Sequence, residues 1–261
     1  MVLGAGISGQ PLNAKFGKTA SVENLAWKGK SRYNGLQMKL DRRFRNGWLV
    51  TNSYTHARSW DYANENSGPS TPIDPERSWG RSNFDRPHVF VSTFVWSLPW
   101  YKDTDSGALH WILGNWQVSG IFTYQAGTPI DVTTSATSLN TPDNTQRPNL
   151  NGTENVIGDF GPGTTYFDTT VYASPAAATF GNMTRNMGDL RGPRFTNLDF
   201  SIVKQFNLGG SRMAEIRADM WNLPNTIHMN GPNASLGSTT FGQVTSAYGE
   251  RQMRFSARFM F

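Results

Sequence analysis

Cysteine is absent from all 261 residues, so disulfide frameworks, thiolate metal sites and cysteine nucleophiles are excluded. Long apolar runs are missing too. Hydrophobic residues make up 37% of the chain and its mean hydropathy is −0.49. No stretch reaches the ~18 apolar residues that a transmembrane helix needs. Charge is sparse, at 16% Asp, Glu, Lys and Arg. The net charge of +5 comes without Lys/Arg blocks, which removes the usual footprint of nucleic-acid binding. The four histidines, His56, His88, His110 and His228, are scattered and form no H-E-x-x-H pattern. With no paired zinc ligands and no thiol, the chain reads as a non-enzyme without cofactors. MVLGAGISGQPLNAKFG has neither a basic n-region nor a sufficient apolar h-region, so these residues are not expected to act as a secretory leader.

Aromatics are abundant, with Phe 16, Trp 9 and Tyr 8, and they recur with period two. In residues 251–261 (RQMRFSARFMF), Met253, Phe255, Ala257, Phe259 and Phe261 alternate with Gln252, Arg254, Ser256 and Arg258. Alternation places one set on each face of a strand. Over about ten residues it suits either a half-buried soluble strand or a transmembrane barrel strand with lipid on one side and lumen on the other. Six more strands are predicted at 31–44, 48–60, 86–98, 115–125, 197–208 and 212–222. Asn46-Gly47 and Gly209-Gly210 supply tight hairpin turns. The strand at 86–98 is apolar on both faces, so its sides stay unassigned. The expected class is all-β, an antiparallel transmembrane β-barrel segment of about seven or eight strands, the eighth hidden around Val22 to Trp27.

Connection lengths alternate. Segments 61–85, 126–195 and 223–250 are long and rich in Asn, Gly, Pro, Ser and Thr, whereas the intervening turns are short, apart from a medium one at 101–113. Outer-membrane barrels have long extracellular loops and short periplasmic turns, which places the long segments outside. Two aromatic belts are expected from that topology. Phe44, Trp48, Trp96, Trp100, Trp111, Trp116, Phe206, Phe259 and Phe261 fall at the short-turn end, and Tyr33, Tyr54, Trp60 and Tyr124 at the other.

Gly4, Gly6 and Gly9 form a literal G-x-G-x-x-G, but no full strand precedes it and Pro11 follows at once, so a flexible glycine-rich loop is expected in place of a nucleotide site. Asp103 and Asp105 sit in a polar linker beside Lys102 and read as turn chemistry. On the lumen face fall Lys39, Asp41, Glu215, Arg217, Asp219, Arg254 and Arg258. The last five are able to pair across neighbouring strands, although solvating and stiffening the wall is the preferred reading. Trp60, Tyr62, Trp79, Tyr166 and Tyr172 are the loop aromatics offered as ligand contacts.

Several segments carry a resemblance. YNGLQMKLDRRFRNGWLVTNSYTHARSWD, DRPHVFVSTFVWSLP, LGNWQVSGIFTYQAGTPIDV, QRPNL, FGNMTRNMGDLRGPRFTNLDFSIVKQF and RADMWNLPNTIHMN, followed by the terminal strand, resemble the C-terminal barrel region of TonB-dependent transporters of the Oar-like group. The match covers nearly everything from about Ser31. Phe255, Phe259 and Phe261 resemble the C-terminal signature by which outer-membrane barrels are recognised for insertion. The resemblance implies a Gram-negative outer-membrane receptor with a large, 22-strand-type barrel, a plug domain and a TonB box. Implied partners are outer-membrane lipid, the barrel-assembly machinery, the plug and through it TonB, and an unidentified ligand taken up by energy coupling. About seven strands cannot close an ordinary bacterial barrel, so the chain is expected to be the C-terminal portion of a longer protein. Residues 1–30 would then be a loop or partial strand and 31–261 the barrel part. A structural or adhesive outer-membrane β-protein without transport is the alternative.

Overall fold

The computed structural model describes residues 2–20, 29–62, 68–100, 107–161 and 163–261. Its frame is seven long strands: β1 (Ser31–Arg45), β2 (Trp48–Asp61), β3 (His88–Ser97), β4 (Trp116–Gln125), β5 (Phe195–Gly209), β6 (Arg212–Trp221) and β7 (Gln252–Met260). Each pairs antiparallel with the next, giving a continuous meander. All seven stand where alternation and turn residues predict them. At the β1–β2 turn Asn46 and Gly47 both take positive φ, 52° and 82°, the conformation of a tight hairpin. Gly209 and Gly210 do the same between β5 and β6.

Because cross-strand partners share a face, the register assigns every side chain. One column runs Arg254, Asp219, Ser201, Ser119, Val95, Leu49, and belongs to a mostly polar face. The adjacent column runs Phe255, Ala218, Ile202, Val118, Trp96, Trp48, and belongs to an apolar one. The register also settles β3. Phe90, Phe94 and Trp96 lie on the apolar face, and Val89, Val91 and Val95 on the polar one. Gly120 fits the apolar face for a local reason. Phe94 packs across it toward Phe200, with ring centroids 6.4 Å apart, and a Cβ there would stand 2.8 Å from the Phe94 ring.

Aromatic side chains gather at the turn end of the apolar face. Trp48 stacks on Trp96 at 4.4 Å, Trp100 meets Trp96 edge-on, and Trp111 lies 5.1 Å from Phe206. The medium connection between β3 and β4 contains a short helix, Gly107–Leu113, whose Leu109, Trp111 and Ile112 are exposed. Lys204, on the same face, donates to the Gly114 carbonyl and lies over the Trp116 and Phe206 rings. Its stem thus crosses apolar surface, and its ammonium is buried against that carbonyl and the two rings. At the other end Tyr33 departs from the expected belt, because its ring lies along Gly35 on the polar face with Lys39 and Asp41. The side chain of Phe44, the strand expected near Val22 to Trp27, and Lys102, Asp103 and Asp105 lie outside the described residues.

The core sits in the connections and not in the sheet. Ile130, Val132, Tyr166, Phe167, Met183 and Leu190, all buried, are joined by Leu236, Phe241 and Val244 from the connection between β6 and β7. Long connections therefore fold into a cap with its own apolar centre at one end of the sheet. The N-terminal glycines are part of it. Gly4 donates to the Leu139 carbonyl at 3.1 Å and Gly6 to that of Asn140 at 2.7 Å, while Asn140 Nδ2 returns a bond to Gly4. A Cβ at Gly4 would stand 2.6 Å from the Ala178 side chain. The G-x-G-x-x-G stretch is a docked segment, which corrects the expectation of a flexible loop. Among the described residues β1 and β7 each pair along one side only, so the sheet has two open edges.

Candidate binding surface and polar wall

Two arginines fasten the cap to the sheet and a third braces the cap internally. Arg185, 3% exposed, donates from Nε to the Ser78 carbonyl at 2.9 Å and pairs with Asp61 at the end of β2. Arg191 binds Asp85 at 2.5 Å, and Asp85 in turn accepts the Ser59 backbone N–H at 2.6 Å. Arg147 grips Asp131 with two bonds of 2.7 Å. Guanidinium–carboxylate pairs with little water around them fix geometry strongly, and the Arg185 and Arg191 pairs join segments far apart in the chain, whereas the bidentate Arg147 pair closes a single connection.

The predicted loop aromatics divide. Tyr166 and Tyr172, each 6% exposed, belong to the cap core and offer no free ring face. Tyr172 makes near-perpendicular contacts with Phe167 and Phe241, and its hydroxyl donates to Glu154 at 3.0 Å. Burial holds the Glu154 carboxyl above the usual glutamate range, opposed by that hydrogen bond and reinforced by the Asp189 charge. Burial, then Glu154, pushes the Tyr172 phenol up as well, so it stays a neutral donor. Trp60 lies at the loop end of the apolar face between the guanidiniums of Arg32 and Arg81, 5.9 and 4.4 Å from its ring. Tyr62 and Trp79 stand together, with ring centroids 5.1 Å apart. In the sequence these five are alike, because the exposure of loop aromatics depends on how the loops pack.

On the polar face the charges converge on Asp219, which is nearly buried. It accepts from Ser201 Oγ at 2.8 Å, Arg217 Nε at 2.6 Å and Arg254 Nη2 at 3.1 Å, one partner each from β5, β6 and β7. Arg254 also lies 5.4 Å over the Trp221 ring. Asp199 beside this group accepts the Asn222 backbone N–H at 2.9 Å. Glu215 accepts from Gln205 at 3.1 Å and faces Arg258 in the register, and Lys39 pairs with Asp41 at 2.9 Å on β1. A cavity of about 380 Å³ opens over Asp219, Asp199, Arg254, Trp221 and Ile121. The wall is thus a cross-strand network more than a set of separately solvated charges. Phe255, Phe259 and Phe261 are 75%, 56% and 94% exposed on the apolar side.

One constellation escaped the sequence. His56 and His88, 32 positions apart, face each other across β2 and β3 with ring centroids at 4.8 Å, and Tyr54 hydrogen-bonds His88 Nδ1 at 2.8 Å. They extend the aromatic belt of the loop end. Among the described residues no group of three or more His, Asp or Glu could hold a metal ion.

The model of the family described as "Outer membrane beta barrel domain" matches residues 4–254. No curated protein and no solved structure matches the chain.

Proposed function

Since the chain belongs to the outer membrane β-barrel domain family and is a protein of the outer membrane, we propose that it forms part of the wall and ligand-capturing cap of a TonB-dependent transporter or receptor of the Oar-like group. The observation that carries the reading is the division of labour between ends and faces. The described parts of the connections after β4 and β6 fold into a cap at one end, the two tight turns and the helical β3–β4 connection lie at the other, and the face opposite the lipid carries a hydrogen-bonded charge network suited to a hydrated lumen. In this reading the cap faces the exterior and captures ligand, and the polar wall lines the path. Binding and passage, with no catalytic step, are its work. A plug held against the polar face and pulled through TonB supplies the energy coupling, and the barrel-assembly machinery recognises Phe255, Phe259 and Phe261.

Open edges support the same reading. Within lipid, unpaired backbone N–H and C=O groups cost several kcal/mol each, so β1 and β7 are completed by strands beyond these seven. The test is an immunoblot of outer-membrane fractions, boiled and unboiled, with an antibody to residues 251–261, joined to a pull-down probed for TonB. A heat-shifting band several times the 29.0 kDa of this chain, with TonB captured, is expected. A band at 29.0 kDa without TonB would sink the transporter and favour the adhesive β-protein, whose folded cap binds a surface and passes nothing.

A further inference from the structure

At the loop end of the sheet, two rings and a carboxylate surround a cation. The Tyr62 and Trp79 rings are tilted 60° to each other. The Lys30 ammonium lies 4.9 Å from the Tyr62 centroid and 4.7 Å from that of Trp79. Glu76 approaches the same nitrogen at 3.6 Å and accepts the Tyr62 hydroxyl. Two π faces and a carboxylate directed at one point attract an alkylammonium ion through quadrupole and charge together. We propose that Tyr62, Trp79 and Glu76 form a cage for an organic ammonium group on an external ligand, and that Lys30 fills it until the ligand displaces it.

The walls and the occupant are held differently. Tyr62 follows Asp61, and Trp79 follows Ser78; Asp61 and the Ser78 carbonyl are both bound by the buried Arg185, so the cage walls are fastened to the cap. Lys30, by contrast, comes from the segment entering β1, and its side chain is 54% exposed, free to swing into water. The neighbouring Arg77 does not compete, because it is committed to the Gly181 carbonyl at 2.7 Å and to the Phe180 ring. At these nitrogen-to-ring separations a methyl group fits between the cation and each ring. A methylated or quaternary ammonium therefore fills the cage better than the primary ammonium of Lys30. The inference rests on the transporter reading only for placing the cage on the cell exterior.

The probe is choline, compared with its neutral isostere 3,3-dimethyl-1-butanol, by titration calorimetry on the protein extracted from outer membranes in detergent. Lys30→Ala vacates the cage and is expected to bind choline about tenfold more tightly than wild type, the scale of one or two exposed cation–π contacts. The isostere should gain nothing, and adding Trp79→Leu should remove the gain. Glu76→Gln, which keeps the shape of the wall, should weaken choline severalfold in the Lys30→Ala background. Heat-shift behaviour on gels checks that each variant is folded. No gain in Lys30→Ala, equal binding of the isostere, or a gain that survives Trp79→Leu would each overturn the proposal. Choline binding that behaves as expected in a protein that captures no TonB would remove the transporter reading and leave the cage standing.

Discussion

Glu154 accepts a hydrogen bond from Tyr172, and its partly buried position makes the cap sensitive to pH. Its carboxyl binds a proton more tightly in the folded cap than in an unfolded chain. The stabilisation linked to that proton is complete below the ordinary value of 4.5 and is lost as pH rises through the raised one. Hydrogen exchange of cap amides should therefore quicken as pH rises from below 4.5 through the raised value, after correction for intrinsic rates, and Glu154→Gln should flatten that trend. A variant with the same slope as wild type would remove Glu154 as the cause. Residues of this kind were not legible in the sequence. Glu154 meets Tyr172 only because the 126–194 connection folds on itself, and the same packing turned Tyr166 and Tyr172 from candidate contacts into core.

Strands were the readable elements, because a period of two and a pair of turn glycines leave marks in the sequence itself. β7 is the clearest case. Its alternation assigns Phe255 to lipid and Ser256 to the polar side, and pairing with Ala218 and Arg217 of β6 agrees. Phe255→Arg should cost about 2–4 kcal/mol of barrel stability, the range for a cation on a lipid face near the bilayer midplane, whereas Ser256→Arg should cost little. Denaturant titration of the two variants in lipid vesicles measures the difference, and equal losses would mean the faces are assigned wrongly. β3 was legible as a strand and illegible as an orientation, since Val and Phe fill both its faces and only its neighbours' register tells lipid from lumen. The connection between β3 and β4 hid its helix because seven residues, Gly107–Leu113, are too few for a periodic signal. The N-terminal glycines carried a pattern whose meaning is a partner surface at Leu139 and Asn140, more than 130 residues away.

For the molecule as a whole, the two edges that are unpaired among the described residues are incompatible, if left bare, with a stable life in lipid, and the physical consequence can be measured. Along β7 roughly every second backbone N–H points away from β6, and the same holds for β1 relative to β2. Left bare in hydrocarbon, a handful of such groups at several kcal/mol each would outweigh a typical folding free energy of ~5–15 kcal/mol. Either further strands cover them, as the transporter reading requires, or these edges face water or a second copy. Hydrogen exchange on the protein in native outer membranes separates the cases. If further strands complete the wall, the outward amides of Gln252–Met260 should be as slow as those of β4, which is paired on both sides, and should remain slow when the protein is diluted in detergent. Fast exchange at alternate residues would mean an edge open to water and would sink closure. Protection that disappears on dilution would instead identify an edge-to-edge assembly of identical sheets, in which the polar faces enclose a lumen only when copies meet.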